Sequence, residues 1–190
     1  YGIYGGLRLD DCYQSGASTT MLSVLDYVTI RYAGVGGQAA IYAHNLDNGI
    51  TIRNSLIEYS AGAGVQVSNV DAPVTIQGTR IRNSGGAGIS VGSSQGLITN
   101  STLESNSIGL AMGAWSGTIT DNTFISNGTA VSSDAMSLSG YERNVASGTG
   151  LKGTVVQGSV SEDLTLNNLG MPYVIPQGSP AGGAGITINN

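Results

Sequence analysis

The chain has little of what most globular domains lean on: one cysteine, one tryptophan, one phenylalanine and four prolines in 190 residues. Cys12 alone permits no intrachain disulfide, so cysteine usage leaves the redox compartment open. Charged residues make up 10% of the sequence, against roughly 25% in an ordinary soluble domain. Seven basic and 12 acidic side chains leave a net charge of −5. Without clustered Lys and Arg, nucleic acid and anionic membrane surfaces are not expected partners. No run approaches about 18 consecutive apolar residues, so no membrane insertion is expected. Blocks of helical period are missing too, which excludes a helical bundle. Glycine never recurs at every third position, which excludes collagen. The chain opens at Tyr1 without an initiator Met, and is expected to be a mature product or an excised segment.

What is present is glycine, 30 residues of it, more than twice the usual share of about 7%. Hydrophobic residues reach 40%, and low charge with abundant Ile, Val and Leu argues against disorder. An internal repeat organises them. The segments starting at Leu25, Ile52, Ile76, Ile98 and Ile119 align, and each has a second apolar residue five positions on: Ile30, Ile57, Ile81, Leu103 and Phe124. A third apolar site follows a Gly-rich turn, at Ile41, Val65, Ile89, Leu110 and Val131. Each copy therefore holds three short strands between turns of Asn, Gly, Ser and Asp.

Three strands per turn with no helix between them predict an all-β fold. It is a single-stranded right-handed parallel β-helix with three short strands per coil. Dividing the length by the repeat gives about eight coils, stacked about 4.8 Å apart. One domain over 1–190 is expected, with regular coils over about 22–134 and wider, irregular coils over 135–190. Alternation of faces turns Ile30, Ile57, Ile81, Leu103 and Phe124 inward. Their neighbours Arg31, Glu58, Arg82 and Glu104 then point outward as a charge ladder of alternating sign that favours the register, read as solvated.

With these residues in hand, the sequence resembles the parallel β-helix repeat regions of large bacterial and archaeal extracellular proteins. Tyr1-Gly2-Ile3-Tyr4, Leu25 to Gly34, Leu164-Thr165-Leu166, Gly170 to Ile175 and Gly185 to Ile188 carry the likeness. The resemblance implies an extracellular or cell-surface location, and ends that continue into flanking coils or associate with another copy. It is specific for the fold and not for activity, because such proteins include adhesins, surface-layer components and carbohydrate-active enzymes.

Catalytic chemistry finds few candidates. Glycoside hydrolysis needs two carboxylates about 5–10 Å apart across one bond, and the adjacent acidic pairs are Asp10-Asp11 and Glu162-Asp163. Both read as turn or coil-ending residues, and no carboxylate cluster accompanies Arg53 or Arg80. His44 is the sole histidine and reads as a turn residue after a third strand. A Cys–His nucleophile built on Cys12 is therefore not expected. Gly88-Ile89-Ser90-Val91-Gly92 fits a Gly-x-Ser-x-Gly pattern but lies on a repeat strand with no helix after it. No catalytic and no metal-ligating residues are assigned. Ca²⁺ is the one cofactor left open, through the turn residues Asp47, Asp71, Asp121 and Asp134. A flat Thr-x-Thr array for ice is filled only at Thr118 and Thr120. Polysaccharide contact needs exposed aromatics, for which Trp115, in a loop, and Tyr42, outward on a strand, are the candidates. The expected role is a non-catalytic structural or adhesive module, with a carbohydrate-binding or carbohydrate-active module as the alternative.

Overall fold

A computed structural model describes residues 5–10, 22–138, 140–148, 150–157 and 171–174. They form a parallel solenoid with two sheets and two short 3-10 turns, Val35–Gly37 and Ala135–Leu138. The second strands of the coils make one six-stranded sheet: Thr29–Arg31, Leu56–Glu58, Arg80–Arg82, Thr102–Glu104, Thr123–Ile125 and Val145–Ser147. First and third strands belong to a 12-stranded sheet. They merge because two long strands, Val65–Gln77 and Ala87–Thr99, run from the third face of one coil into the first face of the next.

The register follows the sequence repeat residue by residue. Leu25, Ile52, Ile76, Ile98, Ile119 and Tyr141 stack in one column. Ile30, Ile57, Ile81, Leu103, Phe124 and Ala146 stack in the second. Ile41, Val65, Ile89, Leu110, Val131 and Thr154 form the third. From Ile52 onward nearly all of these apolar side chains are fully buried, whereas Leu25 and Ile30 are only partly so. Each buried Ile or Leu contributes about 1.5–3 kcal/mol, and the columns share a single core.

Two expectations need correction. The described residues carry about five turns, counted from Ile30 to Ala146, and not eight. The division by repeat length had assigned every residue to a coil. The stretch after 135 was expected to lose the five-residue spacing, yet Tyr141 and Ala146 keep it, seated on Ile119 and Phe124. A tyrosine and an alanine at inward positions hide the pattern from a reading of apolar residues. Among the described residues after 134, irregularity is seen in the turn at Ala135–Leu138 and in a register shift where Leu151 and Thr154 pair with Thr129 and Val131. The opening and closing segments at 1–4, 164–166, 175–180 and 185–188 lie outside the described residues, as do Asp11, Cys12, Glu162 and Asp163.

Each corner is one left-handed residue. Between first and second strands these are Tyr27, Asn54, Gly78, Asn100, Asp121 and Arg143, with φ from 50 to 59°. After the second strand they are Tyr32, Tyr59, Asn83, Ser105 and Ser126, with φ from 51 to 58°. Asn and Gly occupy this region readily, whereas a bulky side chain there costs about 1–2 kcal/mol.

Behind each of these corners after the first coil a polar side chain turns inward. In the later coils it is asparagine. Ser101 N donates to Asn122 Oδ1 at 3.0 Å, and Asn122 N donates to Asn144 Oδ1 at 3.0 Å. Asn122 Nδ2 donates to Ile98 O at 2.9 Å. The second corner repeats the device: Asn106 N donates to Asn127 Oδ1 at 2.9 Å, and Asn106 Nδ2 to Ile81 O at 3.1 Å. These ladders satisfy corner backbone groups that the strands cannot reach.

Glycine beside the third strand answers to space and not to turning. At Gly109 a Cβ would lie 2.5 Å from Ala130 O and 2.6 Å from Phe124 Cδ1, and its φ is not left-handed.

Candidate functional site

Two surface features gather the side chains with chemistry. The first lies on the third face at the N-terminal end, on strands Leu7–Asp10, Ile41–His44 and the start of Val65–Gln77. Register places Arg8 beside Tyr42, and Asp10 beside His44, which is followed by Ser68 on the next rung. Alternation turns all of them away from the core, where Ile41 and Ala43 are fully buried. His44 thus ends a strand instead of following it. Its Nδ1 lies 3.7 Å from Asp10 Oδ1. Arg8 Nε donates to Asp10 at 3.2 Å. The bond to Arg8 holds the Asp10 carboxyl below its ordinary value; the small burial opposes this. The Tyr42 ring stacks on His44, centroids 5.6 Å apart, and the Arg8 guanidinium sits 5.6 Å from its centre. Chemically this row offers an oriented imidazole beside a carboxylate. Tyr42 keeps its outward place, with its ring already in contact with both neighbours.

The second feature lies at the corner after the second strands. Arg31, Glu58 and Arg82 stand on successive rungs, and Glu58 accepts from both arginines, at 2.5 Å and 2.6 Å. The charge ladder had been read as solvated, yet Glu58 is only 2% exposed. The two guanidinium groups cover it; it is not sunk in the core. Burial pushes its carboxyl upward, but the Arg82 hydrogen bond and both positive charges outweigh that and hold it below the ordinary value. Glu104 is in register with Arg82 but pairs with Arg80, whose Nε lies 3.0 Å away. Further coil-to-coil pairs follow the same logic: Arg53 with Asp26 at 2.9 Å, and Arg143 with Asp121 at 2.9 and 3.0 Å.

Next to this ladder Tyr32 and Tyr59 stack with ring centroids 5.0 Å apart and planes 10° from parallel. They are 74% and 42% exposed, and Tyr27 at the neighbouring corner is 80% exposed. Sequence reasoning assigned neither Tyr32 nor Tyr59 a surface role. The signal was there, since both follow the outward charge of their strand in aligned copies.

Trp115 requires the opposite correction. It is 2% exposed and part of the core, so it cannot stack on a sugar. The left-handed residue Ala114, φ 36°, starts strand Trp115–Thr120 early, and the indole falls on the inward column of Val70 and Ser94. Thr120, counted outward for an ice-binding array, is buried, its hydroxyl 3.3 Å from that of buried Thr99. Among the described residues no group of three His, Cys, Asp or Glu side chains comes together. Asp121 is engaged by Arg143, and Asp134 accepts from Ala114 N at 3.4 Å. An open polar cleft of about 250 Å³ lies at the third corner between Asp71, Ser93 and Ser116. Among the described residues no helix is long and apolar enough to cross a membrane.

No curated protein and no solved structure matches the chain. The model of one family, described as right-handed β-helix region, matches residues 10–169. The match covers most of the chain, whose described residues form stacked parallel strands around inward apolar columns, and the chain belongs to the right-handed β-helix region family.

Proposed function

We propose that this chain is a non-catalytic structural or adhesive β-helix module of a secreted or cell-surface protein. Its ends associate with flanking coils or with a second copy. The observation that carries this reading is the use made of charge. Asp26, Glu58, Glu104 and Asp121 each pair with an arginine on an adjacent coil. Such pairs fix register between coils; a glycosidase instead keeps two carboxylates facing one bond. A stack of coils locked in this way is a stiff spacer, and among the described residues the outermost strands, Leu7–Asp10 and Tyr173–Val174, pair on one side only, an edge that invites further pairing.

A second reading is favoured by one specific observation. The exposed rings of Tyr27, Tyr32 and Tyr59 are the aromatic surface that polysaccharide binding calls for, which makes a carbohydrate-binding or carbohydrate-active module the alternative. A glycan array and a reducing-sugar assay on acidic polysaccharides separate the two. The structural reading expects no sugar release, and concentration-dependent assembly in light scattering. Sugar release that disappears in Asp10→Asn or His44→Ala overturns it. A monodisperse monomer at high concentration overturns the self-association.

A further inference from the structure

We propose that Tyr32 and Tyr59 form an oxidative cross-linking site, at which one-electron oxidation joins the two phenol rings into a dityrosine and ties adjacent coils covalently. The inference goes beyond the structural reading and does not depend on where the protein resides. Its first support is placement. The two rings occupy the same corner on successive rungs, centroids 5.0 Å apart and nearly parallel. Both are open to a diffusing oxidant, at 74% and 42% exposure. The other described tyrosines lack this combination: Tyr42 stacks on His44, Tyr141 is 2% exposed, Tyr173 is partly buried against the core, and Tyr27, although 80% exposed, has no stacked tyrosine partner among the described residues.

The second support is strain. Tyr32 and Tyr59 hold left-handed backbones, φ 55° and 58°, in a column where later rungs carry Asn83, Ser105 and Ser126. An asparagine would fit that corner at lower cost, so the pair of rings is retained against the local backbone preference.

The chemistry balances with one named co-reactant, hydrogen peroxide delivered by a heme peroxidase. Each phenol gives up one electron and its hydroxyl proton. The unpaired spin of each phenoxyl radical lies partly on the carbon ortho to oxygen, and two such carbons join in a C–C bond. Each joined carbon then releases its hydrogen as a proton while its ring oxygen regains one, which restores two phenols. Two hydrogens leave the protein, and one peroxide becomes two waters. The rings must slide from face-to-face to edge-to-edge, a movement the broad terminal torsion of tyrosine allows. Because the partners are already in contact, coupling within one molecule outpaces coupling between molecules.

The test treats the full chain, dilute, with heme peroxidase and hydrogen peroxide, and reads intact mass, dityrosine fluorescence and cross-linked peptides. The expected product is a monomer lighter by two hydrogens whose linked peptides contain Tyr32 and Tyr59. Tyr32→Phe and Tyr59→Phe each abolish that product while keeping the ring stack and an unchanged circular dichroism spectrum; Tyr27→Phe leaves the yield as in the unaltered chain. A product dominated by dimers or by other tyrosine pairs overturns the proposal, as does an undiminished yield in Tyr32→Phe.

Discussion

The first coils and the last coils of this solenoid solve the same corner problem differently. In the later coils the left-handed corner is Asp121, Arg143, Ser105 or Ser126, and the residue behind it is an asparagine that bridges to the preceding rung. In the first coil the corners are Tyr27 and Tyr32, and the residues behind them are Val28 and Ala33. Val28 N donates to a single side-chain partner, Ser55 Oγ, at 3.2 Å. The inward residues Leu25 and Ile30 are also only partly buried there, and Leu22, Val24, Tyr27, Tyr32 and Val35 are exposed. One repeat thus yields an asparagine-bridged stack at one end and, at the other, an apolar surface whose left-handed corners are tyrosines.

The sharpest way to break this comparison is to remove a ladder asparagine. Asn122→Ala leaves Ser101 N–H and Ile98 C=O without their partners inside a closed core, at a cost of about 3 kcal/mol. Ser55→Ala, at the same corner three coils earlier, removes one acceptor from Val28 N and is expected to cost about 1 kcal/mol. Urea titration of both variants checks the difference, and equal losses would dissolve the distinction between the two ends.

Exchanging corner residues gives a smaller effect of opposite sign. Tyr27→Asn relieves a left-handed tyrosine at φ 52° and is expected to raise stability by about 1 kcal/mol. Asn100→Tyr should lower it by a similar amount, about 1 kcal/mol. Thermal melts of the two reciprocal variants read the sign directly.

The smallest effect concerns acid. The folded Glu58 carboxyl titrates below its ordinary value of 4.5, so the unfolded chain binds its proton more readily. The resulting stability is complete above that value and is lost as pH falls through the lower folded one. Glu58→Gln removes this dependence, so its stability gap from the unaltered chain narrows with acidification. A gap that widens as pH falls would contradict the sign.

Much of the fold was legible because a solenoid writes its contacts into its repeat. Ile52, Ile76, Ile98 and Ile119 align in sequence for the same reason that they stack in space. The corner ladders were equally legible: Ser55, Thr79, Ser101, Asn122 and Asn144 each stand three positions after an inward residue of the first column. They were read only as turn composition, because a polar residue in a turn gives no sign of which way it points. Trp115 was misplaced for a related reason. A loop read from Gly113 and Ser116 does not disclose that Ala114 adopts the left-handed conformation that turns the indole inward. Covering of Glu58 by two arginines is a property of three adjacent rungs, and alternation within one strand could not show it.

Backbone exchange with deuterium, followed peptide by peptide, tests the central contrast most directly, because opening of a coil requires the corner bonds to break. Amides of the later corners, around Ser101, Asn106 and Asn122, are expected to exchange much more slowly than those around Val28 and Tyr32. Equal protection along the rod, or faster exchange at the asparagine corners, would contradict the account.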